Sequence, residues 1–341
     1  MRYPKFIQPG DGIKFVAPSF GATTYPYDVR VKWSKKFFEN YGYNVLIGEN
    51  VYKSELPYLS NTPAEIGKEF MEGYLNPNVS LLLSVGGGEM QFETLPYIDF
   101  DLIKNSDPKW FNGFSDNTNY SFLLTTLSDV ASIYGHCAGS FGMRKLDQSI
   151  LDDYLLMSGE KLTLAGYSKF QLRSNAYQKH HPLSGYNLKQ DKVITSLYNE
   201  EEHFSGRLLG GCLDILSLIC GTKYDNVKEF NDKYKDDGVV WFLEACDLTP
   251  QAIRRALLQL KLAGWFDTAK GFLIGRSANA FNMEEFGLNR INALEVLKDL
   301  NVPILADVDL GHLPPTMPLI TGSVGVVSYK NNDLKIEMLL K

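Results

Sequence analysis

No stretch of this 341-residue chain reaches the ~18–20 consecutive apolar residues that a bilayer-spanning helix requires. Basic blocks are missing as well, and the longest Lys/Arg run is a pair such as Lys35-Lys36. Lys and Arg total 34 against 40 Asp and Glu, a net charge of −6. A surface acidic on balance repels nucleic acid and anionic lipid, so neither nucleic acid nor a membrane is expected as a partner. Cysteine is scarce. Cys137, Cys212, Cys220 and Cys246 form no C-x-x-C pair, which excludes a dense disulfide framework and argues against a metal site. They read as small buried hydrophobes in a reducing compartment. The opening MRYPKFIQPGDG has no uninterrupted apolar core of a signal peptide, so a cytoplasmic address is expected. Internal repeats and low-complexity tracts are absent. So are nucleotide fingerprints: Gly86-Gly87-Gly88 fits neither G-x-G-x-x-G nor G-x-x-x-x-G-K-[ST], and no cofactor is expected.

What remains is an ordinary globular composition, 44% hydrophobic and 13% aromatic, in a length that suggests two domains. The first third alternates strand and helix signals. GIKFVAPS (12–19) is an apolar run ending in turn residues, and NVLIGE and VSLLLSV repeat that form. Between them, 28–41 carries Val29, Trp33, Phe37 and Tyr41 at helical spacing, with Gly42 as a stop. Thr62-Pro63-Ala64-Glu65 is a capping box opening a second helix with Ile66, Phe70 and Tyr74 on one face. The pitch predicts an α/β chain with a parallel, doubly wound sheet. Residues 171–203 are polar and aperiodic, and they read as a long connecting segment. GRLLGGCLDILSLICGT (206–222) reads as a turn followed by a buried helix, and VVWFLEAC (239–246) as a buried strand. Thr249-Pro250 opens another helix, and GFLIGR and VPILADVDLGH give two more strand-and-loop units. The expected division is 1–165, a connector over 166–205, and a smaller α/β domain over 206–341.

In open parallel sheets, function gathers where strands end and helices begin. Four apolar runs here end in reactive residues: Gly86-Gly87-Gly88-Glu89, Ser115-Asp116-Asn117-Thr118, Glu244 and His312. A hydroxyl, a carboxylate, an imidazole and a glycine loop are the parts of a serine hydrolase. Each part alone has a plainer reading: an N-cap, a paired buried acid, a hydrogen-bonded loop histidine, a tight turn. A non-catalytic ligand-binding protein therefore stays open beside the enzyme. GFSDN (113–117) is not the elbow G-x-S-x-G, because Asn117 stands where the second glycine belongs. Gly135-His136-Cys137-Ala138-Gly139 fits the G-x-C-x-G elbow of glutamine amidotransferases, with Cys137 as nucleophile, yet no His-x-Glu follows it. His136 is also the one competitor to His312 as base.

Taken in order, GGG (86–88), GFSDNT (113–118), GRLLGG (206–211), FLEACD (242–247), GFLIGR (271–276) and DLGHLPPTMPL (309–319) resemble the LD-carboxypeptidase family of serine peptidases. That family includes the microcin C self-immunity peptidases, and the motifs span nearly the whole chain. The resemblance implies Ser115 as nucleophile, Glu244 as orienting acid and His312 as general base. The backbone N–H groups of Gly87 and Asp116 would form the oxyanion hole. It also implies a flavodoxin-like N-terminal domain bearing the serine, a smaller C-terminal domain bearing Glu and His, a site at their interface, a homodimer and no metal. The substrate so implied is a murein tetrapeptide or a peptidyl or aminoacyl nucleotide. Gly88, Arg207 and Arg276 are candidate substrate contacts, although a surface or structural salt bridge is the commoner role for either arginine alone. The chain departs from the family pattern in four places. Gly88 stands where an aromatic is usual, and Cys212 where Asn is common. Ala245-Cys246-Asp247-Leu248-Thr249-Pro250 follows the acid in the manner of the immunity branch, while 171–203 holds no tryptophan for a nucleotide base.

Overall fold

The computed structural model describes residues 1–172 and 180–341, which fold as two compact units. The first holds Met1–Lys161 and, from later in the chain, 180–186. Its sheet contains β1 (Gly12–Val16), β2 (Asn44–Ile47), β3 (Leu81–Ser84), β4 (Trp110–Asn112) and β5 (Ser132–Tyr134). Every neighbouring pair is parallel, as the alternating pattern predicts, and the spatial order is 2-1-3-4-5, the flavodoxin-like arrangement that the family resemblance implies. Residues of β3 and β4 are buried throughout, which is why these strands read as unbroken apolar runs. In this order the topological switch lies between β1 and β3. Their carboxyl ends open onto Ser19 and the glycine loop.

Helices α1 (Tyr27–Asn40), α2 (Pro63–Leu75), α3 (Phe100–Asn105), α4 (Thr118–Thr126), α5 (Ala138–Phe141) and α6 (Gln148–Met157) complete the unit. In α2 the Thr62 side chain accepts the Glu65 N–H, Pro63 opens the helix, and Ile66, Phe70 and Tyr74 are buried as expected. The face of α1 differs from its sequence reading. Arg30, Val31, Ser34 and Phe38 are buried, whereas Trp33 and Tyr41 are about half exposed. Arg30 can turn inward because its guanidinium donates to the carbonyls of Pro182 and Ser184, at 2.7 and 2.8 Å. A buried, hydrogen-bonded arginine rotates the helix away from the stripe that apolar spacing alone selects.

The second unit holds 162–172 and 187–341 among the described residues. It begins with β6 (Thr163–Ala165) and the two-residue hairpin strands β7 (Lys169–Phe170) and β8 (Gln190–Asp191). β9 (Thr195–Ser196) and β10 (Glu201–Cys212) follow. Next come α7 (Leu213–Ile219), α8 (Val227–Lys233), β11 (Val239–Glu244), α9 (Pro250–Leu262) and β12 (Ala269–Gly275). The short pair β13 (Glu284–Glu285) and β14 (Leu288–Asn289) precedes β15 (Ile304–Val308), β16 (Leu319–Thr321), β17 (Val324–Lys330) and β18 (Asp333–Leu339). The sheet runs β6-β18-β17-β10-β11-β12-β15-β9, with β10, β11, β12 and β15 parallel at its centre. The connector expected over 166–205 is thus apportioned between the units: 180–186 joins the first, while β7, β8, β9 and the start of β10 join the second. Part of that segment, 173–179, lies outside the described residues. The turn expected at 206–211 is instead the second half of a twelve-residue strand.

Glycine explains that difference. Gly210 has φ +155°, and a Cβ there would fall 1.7 Å from the carbonyl oxygen of Phe242 on β11. The glycine admits close approach of a neighbouring strand rather than a reversal of the chain. Gly210→Val is expected to destabilise the fold by about 3 kcal/mol or more through overpacking against backbone that cannot yield. A denaturant midpoint equal to that of the wild type would show that the strands part without cost.

Candidate active site

Two groups of reactive residues form at carboxyl ends of strands, one in each unit. In the first unit β4 runs into Gly113 and Phe114, and Ser115 then takes φ +66° before the chain turns into α4. A non-glycine residue in the left-handed region costs ~1–3 kcal/mol and persists only where its surroundings impose it. Here they do. The Ser115 N–H donates to the Tyr134 hydroxyl at 3.2 Å, and Asn117 Nδ2 donates to the carbonyls of Phe114 and Gly86 at 2.9 and 3.0 Å. Asn117, which breaks the G-x-S-x-G pattern, is therefore the brace that ties the serine turn to the glycine loop.

The glycine loop lies against the serine. A Cβ built on Gly87 would stand 3.2 Å from Ser115 Oγ and 3.9 Å from the Asp116 backbone nitrogen. The structure thus brings Ser115, Gly87 and Asp116 together. Gly88 sits under Ser19: a Cβ on it would fall 2.0 Å from Ser19 Oγ, so the aromatic usual in the resembled family has no room here. The Asp116 carboxylate is buried and accepts the Ser19 hydroxyl at 2.5 Å, the Gln91 N–H at 3.0 Å and Asn119 Nδ2 at 3.0 Å. Burial pushes its pKa up, against these three donors. Its side chain locks the loops together and leaves only its backbone for chemistry. Ser19 and Tyr134 carry no signal of this role in the sequence, because each acts through a partner far away in the chain.

In the second unit Glu244 ends β11, with Cys212 of β10 as its register partner on one side. Its side chain is 1% exposed, and Oε2 lies 2.8 Å from His312 Nδ1. The Nδ1–H donates to the carboxylate, which fixes the tautomer and leaves Nε2 as the basic nitrogen. Gly311 makes this contact possible: at φ +96° it lies so close that a Cβ would stand 2.5 Å from Glu244 Oε2. Burial draws the His312 pKa down, but the Glu244 charge and a hydrogen bond with the Cys246 thiol outweigh it. The net position is well above the ordinary imidazole value. Asp214, at the start of α7, holds the turn that follows β11 by accepting the N–H groups of Cys246 and Asp247 at 3.1 and 3.0 Å.

The remaining candidates fall elsewhere. Arg207 pairs in register with Val239, at the opposite end of β11 from Glu244. Its Nε meets Asp237 at 2.8 Å and its guanidinium covers the Tyr234 ring at 3.9 Å. Arg276 is 1% exposed and pairs with the buried Asp309 at 2.6 Å. Each arginine is thus engaged in a salt bridge, the commoner of the two roles its sequence position allowed. His136 is buried against Asp153, with Nδ1 3.1 Å from Oδ2. Cys137 is 6% exposed, and burial pushes its thiol up to about 12, so thiolate is scarce at neutral pH. With Cys137 buried and no His-x-Glu downstream, nothing supports the amidotransferase reading. Among the described residues no three His, Cys, Asp or Glu side chains gather as a metal site would need, and no helix is long and apolar enough to cross a membrane.

Comparison with known proteins adds the following. Residues 13–135 match the profile of the LD-carboxypeptidase N-terminal domain, and 205–326 that of the LD-carboxypeptidase C-terminal domain. A Vibrio cholerae protein whose name assigns it provisionally to the carboxypeptidases is 26% identical over 351 residues, covering 99% of this chain and 98% of its own. The microcin C7 self-immunity protein of Escherichia coli is 24% identical, covering 96% of this chain and 93% of its own. A structure of that immunity protein with glutamyl sulfamoyl guanosine aligns at a TM-score of 0.79, with 20% identity over 98% of both chains. The muramoyltetrapeptide carboxypeptidase of Oxalobacter formigenes aligns at 0.72, with 20% identity over 96% of this chain and 99% of its own. At such identities the structural likeness speaks for the fold.

Proposed function

The chain belongs to the LD-carboxypeptidase family of peptidases, and on that premise we propose that it hydrolyses an amide bond through an acyl-enzyme on Ser115. Ser115 Oγ attacks the carbonyl carbon while His312 Nε2 takes the hydroxyl proton. The tetrahedral oxyanion accepts hydrogen bonds from the backbone N–H groups of Gly87 and Asp116. On collapse the C–N bond breaks, and the imidazolium returns its proton to the leaving amine. Water then attacks the ester with His312 again as base, releasing the acid and restoring Ser115. Glu244 keeps Nδ1 protonated and stabilises the imidazolium in both halves. The observation that carries this reading is Ser115 itself, a serine held at φ +66° on a strand-to-helix turn beside a glycine loop.

Two substrates fit the family: a murein tetrapeptide losing its terminal D-alanine, and an aminoacyl or peptidyl nucleotide cleaved at its amide. Support for the second comes from the microcin immunity protein, solved with glutamyl sulfamoyl guanosine, and for the first from the muramoyltetrapeptide carboxypeptidase. The turn after Glu244 favours the immunity branch, while Arg207 and Arg276, both engaged, offer nothing to a terminal carboxylate. The test offers purified protein an LD-tetrapeptide and an aminoacyl-sulfamoyl adenosine, with product mass as readout. Amide cleavage of at least one, abolished in Ser115→Ala, is the expected result. Cleavage of neither, with no fluorophosphonate adduct at Ser115, would favour a ligand-binding protein on the same scaffold.

A further inference from the structure

His312 lies midway along a loop gripped on both sides by one buried arginine. Arg276 directly follows β12, and its Nη2 meets Asp309 Oδ1 at 2.6 Å. Its Nη1 donates to the Asp307 carbonyl at 3.2 Å, and Nη2 to the Pro315 carbonyl at 3.3 Å. Asp307 and Asp309 precede His312 and Pro315 follows it, so a single planar group spans the loop. The Phe170 ring lies 4.5 Å from the guanidinium carbon. The second oxygen of Asp309 accepts the Tyr167 N–H at 2.7 Å, and its carbonyl accepts the Met317 N–H at 2.7 Å. A second layer repeats the pattern. Arg290 grips Asp307 through Nε and Nη2 at 2.8 and 2.7 Å and lies over Phe281, whose ring meets Phe170 at 5.4 Å. Asp307, at φ +61°, is held in the left-handed region by this grip.

Stability alone does not account for such an arrangement. A buried ion pair is often no more stabilising than apolar residues of the same volume, because desolvation offsets the attraction. What an apolar pair cannot do is fix a loop by directed bonds to two carbonyls and a carboxylate. We propose that Arg276 is a positioning residue: through Asp309 and Pro315 it sets where His312 Nε2 stands while Nδ1 stays on Glu244. The proposal rests on the reading of His312 as general base.

The experiment follows labelling of the full-length chain by a fluorophosphonate probe, with intact mass as readout. It compares the wild type with Arg276→Lys and with the double variant Arg276→Met/Asp309→Leu. The double variant removes both charges together and is expected to hold its melting temperature. Its first-order labelling step is expected to fall ~100-fold, with probe affinity unchanged and the pH midpoint of labelling displaced. Arg276→Lys, which keeps the charge but not the fork, is expected to recover part of that loss. A folded double variant that labels at the wild-type rate and pH midpoint overturns the proposal. Should the double variant not fold, Arg276→Lys carries the same decision. If the wild type itself takes no label, the nucleophile assignment has failed instead. The proton resonance of His312 Nδ1–H then decides: an unchanged shift in the variants overturns the positioning role.

Discussion

Ser115→Ala is expected to lower turnover on any cleaved substrate by ~10⁴–10⁶-fold, the range found when a nucleophile that works as part of a unit is removed. Alanine keeps the Cβ that already occupies this turn, and the braces from Tyr134 and Asn117 reach backbone groups, so the fold should persist. Unchanged thermal melting beside lost turnover is therefore the expected pair of results. Because the members of such a unit act together, adding His312→Ala should cost little more. Near-wild-type turnover by Ser115→Ala would remove the acyl-enzyme from consideration.

Glu244→Gln should cost ~10⁴-fold, since an amide can present its N–H to Nδ1 and so favour the wrong tautomer. The sign of the accompanying pH effect follows from the site. Wild-type His312 holds its proton well above the ordinary imidazole value, so activity should rise with pH through that raised pKa. Removing the carboxylate charge favours the neutral imidazole, and the rising limb should move to lower pH in Glu244→Gln. A limb that stays in place would mean that another group sets it. His136 is the candidate to examine, and a dead His136→Ala beside an active His312→Ala would reassign the base.

The strands were legible because burial on both faces leaves an unbroken apolar run, as in β3 and β11. Thr62-Pro63 announced α2 for a local reason, since a cap and a fixed φ act within one turn. Where local rules meet distant partners, reading fails. Arg30 looks like a solvated charge until the carbonyls of Pro182 and Ser184 are in place. Gly210 looks like a turn until Phe242 lies against it. In the candidate site, strand-end logic selected Glu244 and His312, which lie 68 positions apart and meet at 2.8 Å. Local spacing could not show that Arg276 has a buried partner, because Asp309 lies far along the chain.

The interleaving of the two units has a consequence for how the gene could be divided. The chain enters the second unit at 162, places 180–186 in the first, and returns at 187. No single cut therefore yields two self-sufficient products. A fragment beginning at 187 would lack β6, the outermost strand, which pairs with β18 through Leu164 and Ile336. The outer N–H and C=O groups of β18 would then be a bare template for another chain, the starting point of edge-to-edge aggregation. Shuffling either half onto a new partner would have to carry 162–172 with the C-terminal piece. Recombination within this architecture is constrained by a short stretch of chain that also reaches the loop bearing His312, through the Tyr167 N–H on Asp309.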